Sequence, residues 1–148
     1  MKFTFRLQTL WKLRVAEREE RQLRLAEAQK ADDILRAQAA EVEGELGDAE
    51  RTIRAASQPG AIEVDRLLNT QRYELVLAAR LETLRRQRGQ LAVEIERRRQ
   101  ALVEADRQVK VLEKLRDKKW ADYLQREQTL DRKRLDELAR LPRREQPA

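Results

Sequence analysis

Apolar residues return along this chain in alternating steps of four and three. From Leu35 the series runs through Ala39, Val42, Leu46, Ala49, Ile53 and Ala56 without a miss. A second series runs Leu77, Leu81, Leu84, Leu91, Ile95, Leu102, Ala105, Val109 and Leu112, interrupted only by Arg88 and Arg98. Side chains at that spacing form one narrow stripe on an α-helix, the a and d positions of a heptad, and the charges between them keep the other faces wet. The pattern predicts an all-α chain, a long two-helix antiparallel coiled-coil hairpin. From Leu112 to the next apolar candidate, Tyr123, is eleven residues, which reads as a stutter that locally unwinds the supercoil. A similar slip is expected between Leu10, Leu13 and Leu23 and the series that begins at Leu35.

Only Ser57-Gln58-Pro59-Gly60 reads as a true break, because Pro cannot donate to a helix ladder and Gly tolerates positive φ. The expected organisation is a single coiled-coil domain over 1–148, with helix one at about 4–56, a turn at 57–64, helix two at about 66–141 and a frayed polar tail at 142–148. Asp65 is the expected N-cap of the second helix, with Ile62 or Val64 placed to staple against Leu68 or Asn69. Gly44 and Gly47 cost roughly 1 kcal/mol each relative to Ala, so the distal part of helix one should be its softest part. A short turn near residue 60 places positions whose numbers add to roughly 120 opposite each other. Helix two must then overhang by several turns beyond the start of helix one.

Composition narrows the function classes. Of 148 residues 41% are charged and 4% aromatic, with no Cys and no His. A mean hydropathy of -0.85 leaves apolar residues for one seam but not for a layered core. Without Cys and His the chain lacks the side chains behind nearly all structural zinc sites and the usual nucleophile–base pairs. Gly44 and Gly47 are not followed by the Lys-Ser/Thr of a phosphate loop. No enzyme, cofactor or metal is expected. No stretch approaches the ~18 apolar residues of a membrane span, and Met1 to Arg6 is charged too early for a secretory signal, so a cytoplasmic protein is the default.

The net charge of +6 is unevenly spread. Residues 1–24 carry seven basic against three acidic side chains, residues 27–50 two against eight, and residues 107–148 thirteen against eight. In the expected register the acidic block faces about residues 70–93, where Arg72, Arg80, Arg85, Arg86 and Arg88 oppose Glu74 and Glu82. The opposite charges support that pairing, although each exposed pair adds little energy.

Three stretches are candidates for contact. Phe3, Phe5, Leu7, Leu10, Trp11 and Leu13 form the richest apolar run; as a helix, Phe3, Leu7, Leu10 and Trp11 would share a face. That face can pack on helix two near Leu112 and Leu115, dock into a partner, or lie on acidic lipid beside Lys2, Arg6, Lys12 and Arg14. Trp120, Tyr123, Leu124, Leu130 and Leu138 continue an apolar stripe where helix one has run out, which suits a partner helix or a second overhang. Tyr73 and Leu77 lie just past the turn, Leu77 in the seam and Tyr73 either an exposed contact or a cap on the hairpin tip. Arg132-Lys133-Arg134, Arg97-Arg98-Arg99 and Arg85-Arg86 are basic clusters with interleaved acids and no aromatics at base-stacking spacing, so a solvated face is favoured over nucleic acid.

The opening Phe3-Thr4-Phe5-Arg6-Leu7-Gln8-Thr9-Leu10-Trp11-Lys12-Leu13-Arg14 resembles the start of the bacterial flagellar export protein FliJ family. Leu112-Glu113-Lys114-Leu115-Arg116-Asp117-Lys118-Lys119, followed by Arg132-Lys133-Arg134-Leu135-Asp136-Glu137-Leu138-Ala139-Arg140, is similar to the family's C-terminal stretch. Val64-Asp65-Arg66-Leu67 with the nearby Tyr73 resembles its middle, so the likeness spans essentially the whole chain. The resemblance implies a non-enzymatic stalk, like the central stalk of rotary ATPases, whose paired termini enter the hexamer of the flagellar export ATPase. It also implies contact with the cytoplasmic domain of the export gate membrane protein and with export chaperones. Such a protein sits in the cytoplasm against the inner membrane at the flagellar base. Carried over to this chain, the ATPase contacts would be Phe3, Phe5, Leu7, Leu10, Trp11, Trp120, Tyr123, Leu124, Arg132, Lys133 and Arg134, and the gate contacts Tyr73 and Leu77. Alternatives from the residues alone are the equivalent stalk of a virulence injectisome, a basic nucleic-acid-binding coiled coil, and a self-associating structural protein.

Overall fold

The structure is a computed structural model and describes residues 2–60 and 62–142. Two long helices, α1 (Gln8–Ala56) and α2 (Val64–Arg140), pack against each other as a helical hairpin, and no strand occurs among the described residues. The expected fraying of residues 143–148 lies outside them.

Local chemistry explains where the helices stop. The Ser57 N–H and hydroxyl both donate to the Ile53 carbonyl, at 3.0 and 2.7 Å, and end α1. Pro59 follows, and Gly60 turns the chain at φ 106°, a left-handed conformation that a Cβ would strain. The Glu63 carbonyl accepts from Leu67 N–H at 3.0 Å, so Glu63 is the N-cap and Asp65 sits inside the first turn. There its carboxylate favours the positive helix end without capping it. At the other end α1 begins at Gln8, not at Thr4: the Leu7 carbonyl accepts the first helical bond, from Trp11 at 2.9 Å, after a tight turn closed by Gln8 N–H to Phe5 O. Phe3 and Phe5 therefore lie on an irregular segment ahead of the helix, not on its face.

The chain divides into two compact units, one from Glu19 to Val103 and the other combining the chain up to Arg18 with the chain from Glu104 onward. In the turn-bearing unit the core is Ala39, Val42, Leu77, Leu81 and Leu84, with Leu35 and Leu46 packed against it. Small α1 residues face large α2 residues here, so leucines fill the space the alanines leave. In the terminal unit Ala105, Val109 and Leu112 are the buried residues, Val109 with no exposure at all. Every residue of the two apolar series read from the sequence is buried or half-buried.

Neither expected slip occurs. On α1 the stripe runs backward from Leu35 through Asp32, Ala28, Leu25, Arg21, Arg18, Arg14, Trp11 and Leu7 in unbroken steps of three and four, half-buried or buried except at Arg21. Leu13 and Leu23, taken as seam, are 54% and 66% exposed. On α2 the eleven residues from Leu112 to Tyr123 are bridged in phase by half-buried Arg116 and by Lys119. The spacing suggests a stutter because arginine at a seam position does not register as apolar. Its methylene stem can nonetheless lie along the stripe while the guanidinium reaches outward.

Truncation at a seam leucine should be costly and at an outer one nearly silent. Leu81→Ala, at 7% exposure, should lose about 2–3 kcal/mol in urea unfolding followed by circular dichroism, and Leu23→Ala less than about 0.5 kcal/mol. Gly44→Ala should gain about 1 kcal/mol, since a Cβ there meets nothing within 4 Å.

Candidate partner-docking site

Polar residues inside the seam are matched across the helices. In the turn-bearing unit Arg88 Nε donates to Asp32 Oδ1 at 3.1 Å, and Arg36 reaches the other oxygen at 3.3 Å. The hydrogen bond from Arg88 chiefly holds the Asp32 carboxyl below its ordinary range, with the charges of Arg88 and Arg36 adding to it and burial opposing. Arg98 donates to the Arg24 carbonyl at 2.6 Å and to Glu94 at 3.0 Å. The two arginines that interrupt the α2 series are thus its cross-helix hydrogen-bond donors. Nearer the turn the Tyr73 hydroxyl lies 3.2 Å from Glu45 and donates to it; burial first, then Glu45, raises its pKa. Tyr73 is 49% exposed, whereas Leu77 is 3% exposed and belongs to the core. Any surface contact in this region falls to Tyr73 and to exposed Leu75 and Val76.

The terminal unit gathers most of the sequence candidates. Arg18 and Lys110 clasp Asp106 from opposite helices at 3.2 and 2.8 Å. Trp11 Nε1 donates to Glu113 at 3.4 Å, and the Arg116 guanidinium stands 5.1 Å over the Trp11 ring. Trp11 is therefore packed on α2 against Glu113 and Arg116, and cation–π attraction helps keep Arg116 in the seam. One α2 turn on, Phe3 meets Trp120 edge-on at 5.1 Å and Tyr123 at 5.5 Å, while Trp120 and Tyr123 stack at 5.7 Å. These contacts fasten the irregular N-terminal segment to α2. Burial, reinforced by Glu127, raises the Tyr123 pKa.

Beside the aromatic cluster lies a groove of about 610 Å³ walled by Phe3, Phe5, Leu7, Leu115 and Tyr123. Lys2, Arg6, Lys119 and Arg126 line it against a single acid, Asp122. The structure thus brings Phe3, Phe5, Leu7, Trp120 and Tyr123 into one neighbourhood. Leu10 is half-buried within α1, and Leu124 stands 42% exposed on α2. Arg132, Lys133 and Arg134 lie farther along α2, where every described residue from Gln128 onward is exposed. The sequence reading missed the groove cations Lys119 and Arg126, because their value depends on a nonhelical segment crossing α2. Among the described residues no group of His, Cys, Asp or Glu is placed to hold a metal, and no helix is long and apolar enough to cross a membrane. The groove has an apolar floor and a mostly cationic lining.

Residues 1–146 match the family model described as flagellar FliJ protein. No curated protein and no solved structure matches the chain.

The Asp32 cluster gives a pH dependence of definite sign. A lowered folded pKa means the carboxylate adds stability above its ordinary 3.8, and the benefit disappears as pH falls through the lower folded value. Asp32→Asn should melt below the parent at neutral pH, and the two melting curves should converge in strong acid. A gap that persists unchanged at acid pH would assign the loss to packing instead.

Proposed function

The chain belongs to the flagellar FliJ protein family, and on that premise we propose that it is the non-enzymatic stalk and adaptor of flagellar type III protein export. The observation that carries this reading is the terminal unit. A segment rich in Phe and basic residues is pinned onto α2 by Phe3, Trp120 and Tyr123, next to a helix that continues without a covering partner. An export ATPase hexamer is the partner proposed for this end, with Phe3, Phe5, Leu7, Trp120, Tyr123 and Leu124 as the apolar contacts. Leu10 and Trp11 support them from the seam, and Arg132, Lys133 and Arg134 provide the charge farther along. Cationic rims speed encounter and orient docking more than they tighten it, so the aromatic centre would supply most of the affinity.

Tyr73 is proposed to contact the cytoplasmic domain of the export gate, with Leu77 acting from the core beneath the contact surface. Export chaperones would be further partners. A protein held between the ATPase and the gate would be cytoplasmic and peripherally placed at the inner membrane of the flagellar base.

The decisive measurement is the ATPase rate of the same organism's flagellar export ATPase with and without this protein. The full chain should stimulate it, and a version lacking residues 1–11 should not. Phe3→Ala, which removes one ring while sparing both helices, should raise the concentration for half-maximal stimulation about tenfold or more. No stimulation and no binding by the full chain would sink the stalk reading.

A further inference from the structure

Charges on both helices are laced into ion pairs as far as Lys110, which pairs with Asp106; beyond it the described residues form none. Asp131 and Arg134 stand three apart on α2, a spacing that pairs Arg14 with Glu17 and Arg99 with Glu96 elsewhere, yet they do not pair. The same stretch exposes Leu124, Leu130, Leu135, Leu138 and Leu141 by 42 to 65%. The uncovered helix therefore offers both apolar surface and unsatisfied charge.

The order of these residues fits a second copy of itself. Leu124, Glu127, Asp131, Arg134, Leu138 and Leu141 recur in steps of three and four, which gives one seam face. We propose that two chains associate through this segment, antiparallel about a two-fold axis between Arg132 and Lys133. Leu124 then meets Leu141 of the second copy, Glu127 meets Leu138, and Asp131 meets Arg134, each pair occurring twice by symmetry. Opposite charges face each other at the centre and leucines close both ends. A Tyr123–Glu127 side-chain interaction flanks the layer in which Glu127 meets Leu138. A parallel, in-register pairing would set Asp131 against Asp131 and Arg134 against Arg134, which the charges oppose.

The inference does not depend on the export reading. It does have a consequence for it: the dimer covers Leu124 and Arg134, so it and a partner docked on the overhang exclude each other. A contact this short belongs with small, reversible interfaces.

Sedimentation equilibrium of the full chain from about 1 to about 200 μM spans the expected dissociation constant. The weight-average mass should rise from 17.5 kDa toward twice that value. Asp131→Arg and Arg134→Asp should each weaken the dimer about tenfold or more, because each sets like charges face to face twice. The double variant, with the pair swapped, should return to within about threefold of the parent. These side chains are exposed and unpaired, so the helicity of a single chain should not change. A mass constant at 17.5 kDa, a dimer that both single substitutions leave intact, or a double variant as weak as the singles would each overturn the proposal.

Discussion

A stripe two side chains wide is all this chain has to hold itself together, and it works only if a second helix covers it in phase. With 41% charged residues few apolar side chains are left for a core anywhere else. The fold is therefore a contest over one seam, and each residue in it matters for register as much as for burial. Alanines on α1 and leucines on α2 near the turn meet the demand with shape: the small side chains let the facing leucines sink to 3–7% exposure. Nothing comparable is needed on the outer faces, where Leu75 and Val76 stand in water.

Most charged residues in that seam are answered from the other helix or from their own. Arg88 finds Asp32, Arg18 and Lys110 share Asp106, and Arg116 lies on Trp11. Leaving one partner unmatched at a half-buried position would be worse than having neither, so these pairs favour one alignment of the helices over alignments displaced along the stripe. Arg98, lacking a carboxylate across from it, uses the Arg24 carbonyl instead. The result is a coiled coil that keeps its heptad phase through several cationic positions.

The proposed contacts lie where the seam runs out. α1 begins at Gln8, and α2 has many residues left beyond its reach. The N-terminal segment partly fills the gap by laying Phe3 against Trp120 and Tyr123; past Glu127 every described residue is exposed. The chain belongs to the flagellar FliJ family, and the export contacts proposed for it would be made at that end. Its physical character is an apolar stripe edged by unpaired charge, suited to an association that forms and releases.

Pro59-Gly60 marked the turn, and the heptad steps determined the hairpin and nearly every core residue, because burial of a one-sided stripe is a local property that spacing alone encodes. The ends of the likeness to the FliJ family were equally legible, in Phe3 to Arg14 and Leu112 to Arg140. What spacing could not carry was the part of the seam written in arginine. Arg14, Arg18 and Arg116 looked like lapses that called for slips, and only the packed helices show them in phase. The irregular course of residues 2–5, and with it the groove beside Lys119 and Arg126, was equally hidden. The roles of Arg18 and Arg116, like that of the nonhelical strap, are fixed by groups about ninety to a hundred residues away in sequence. Only the tertiary structure supplies those groups.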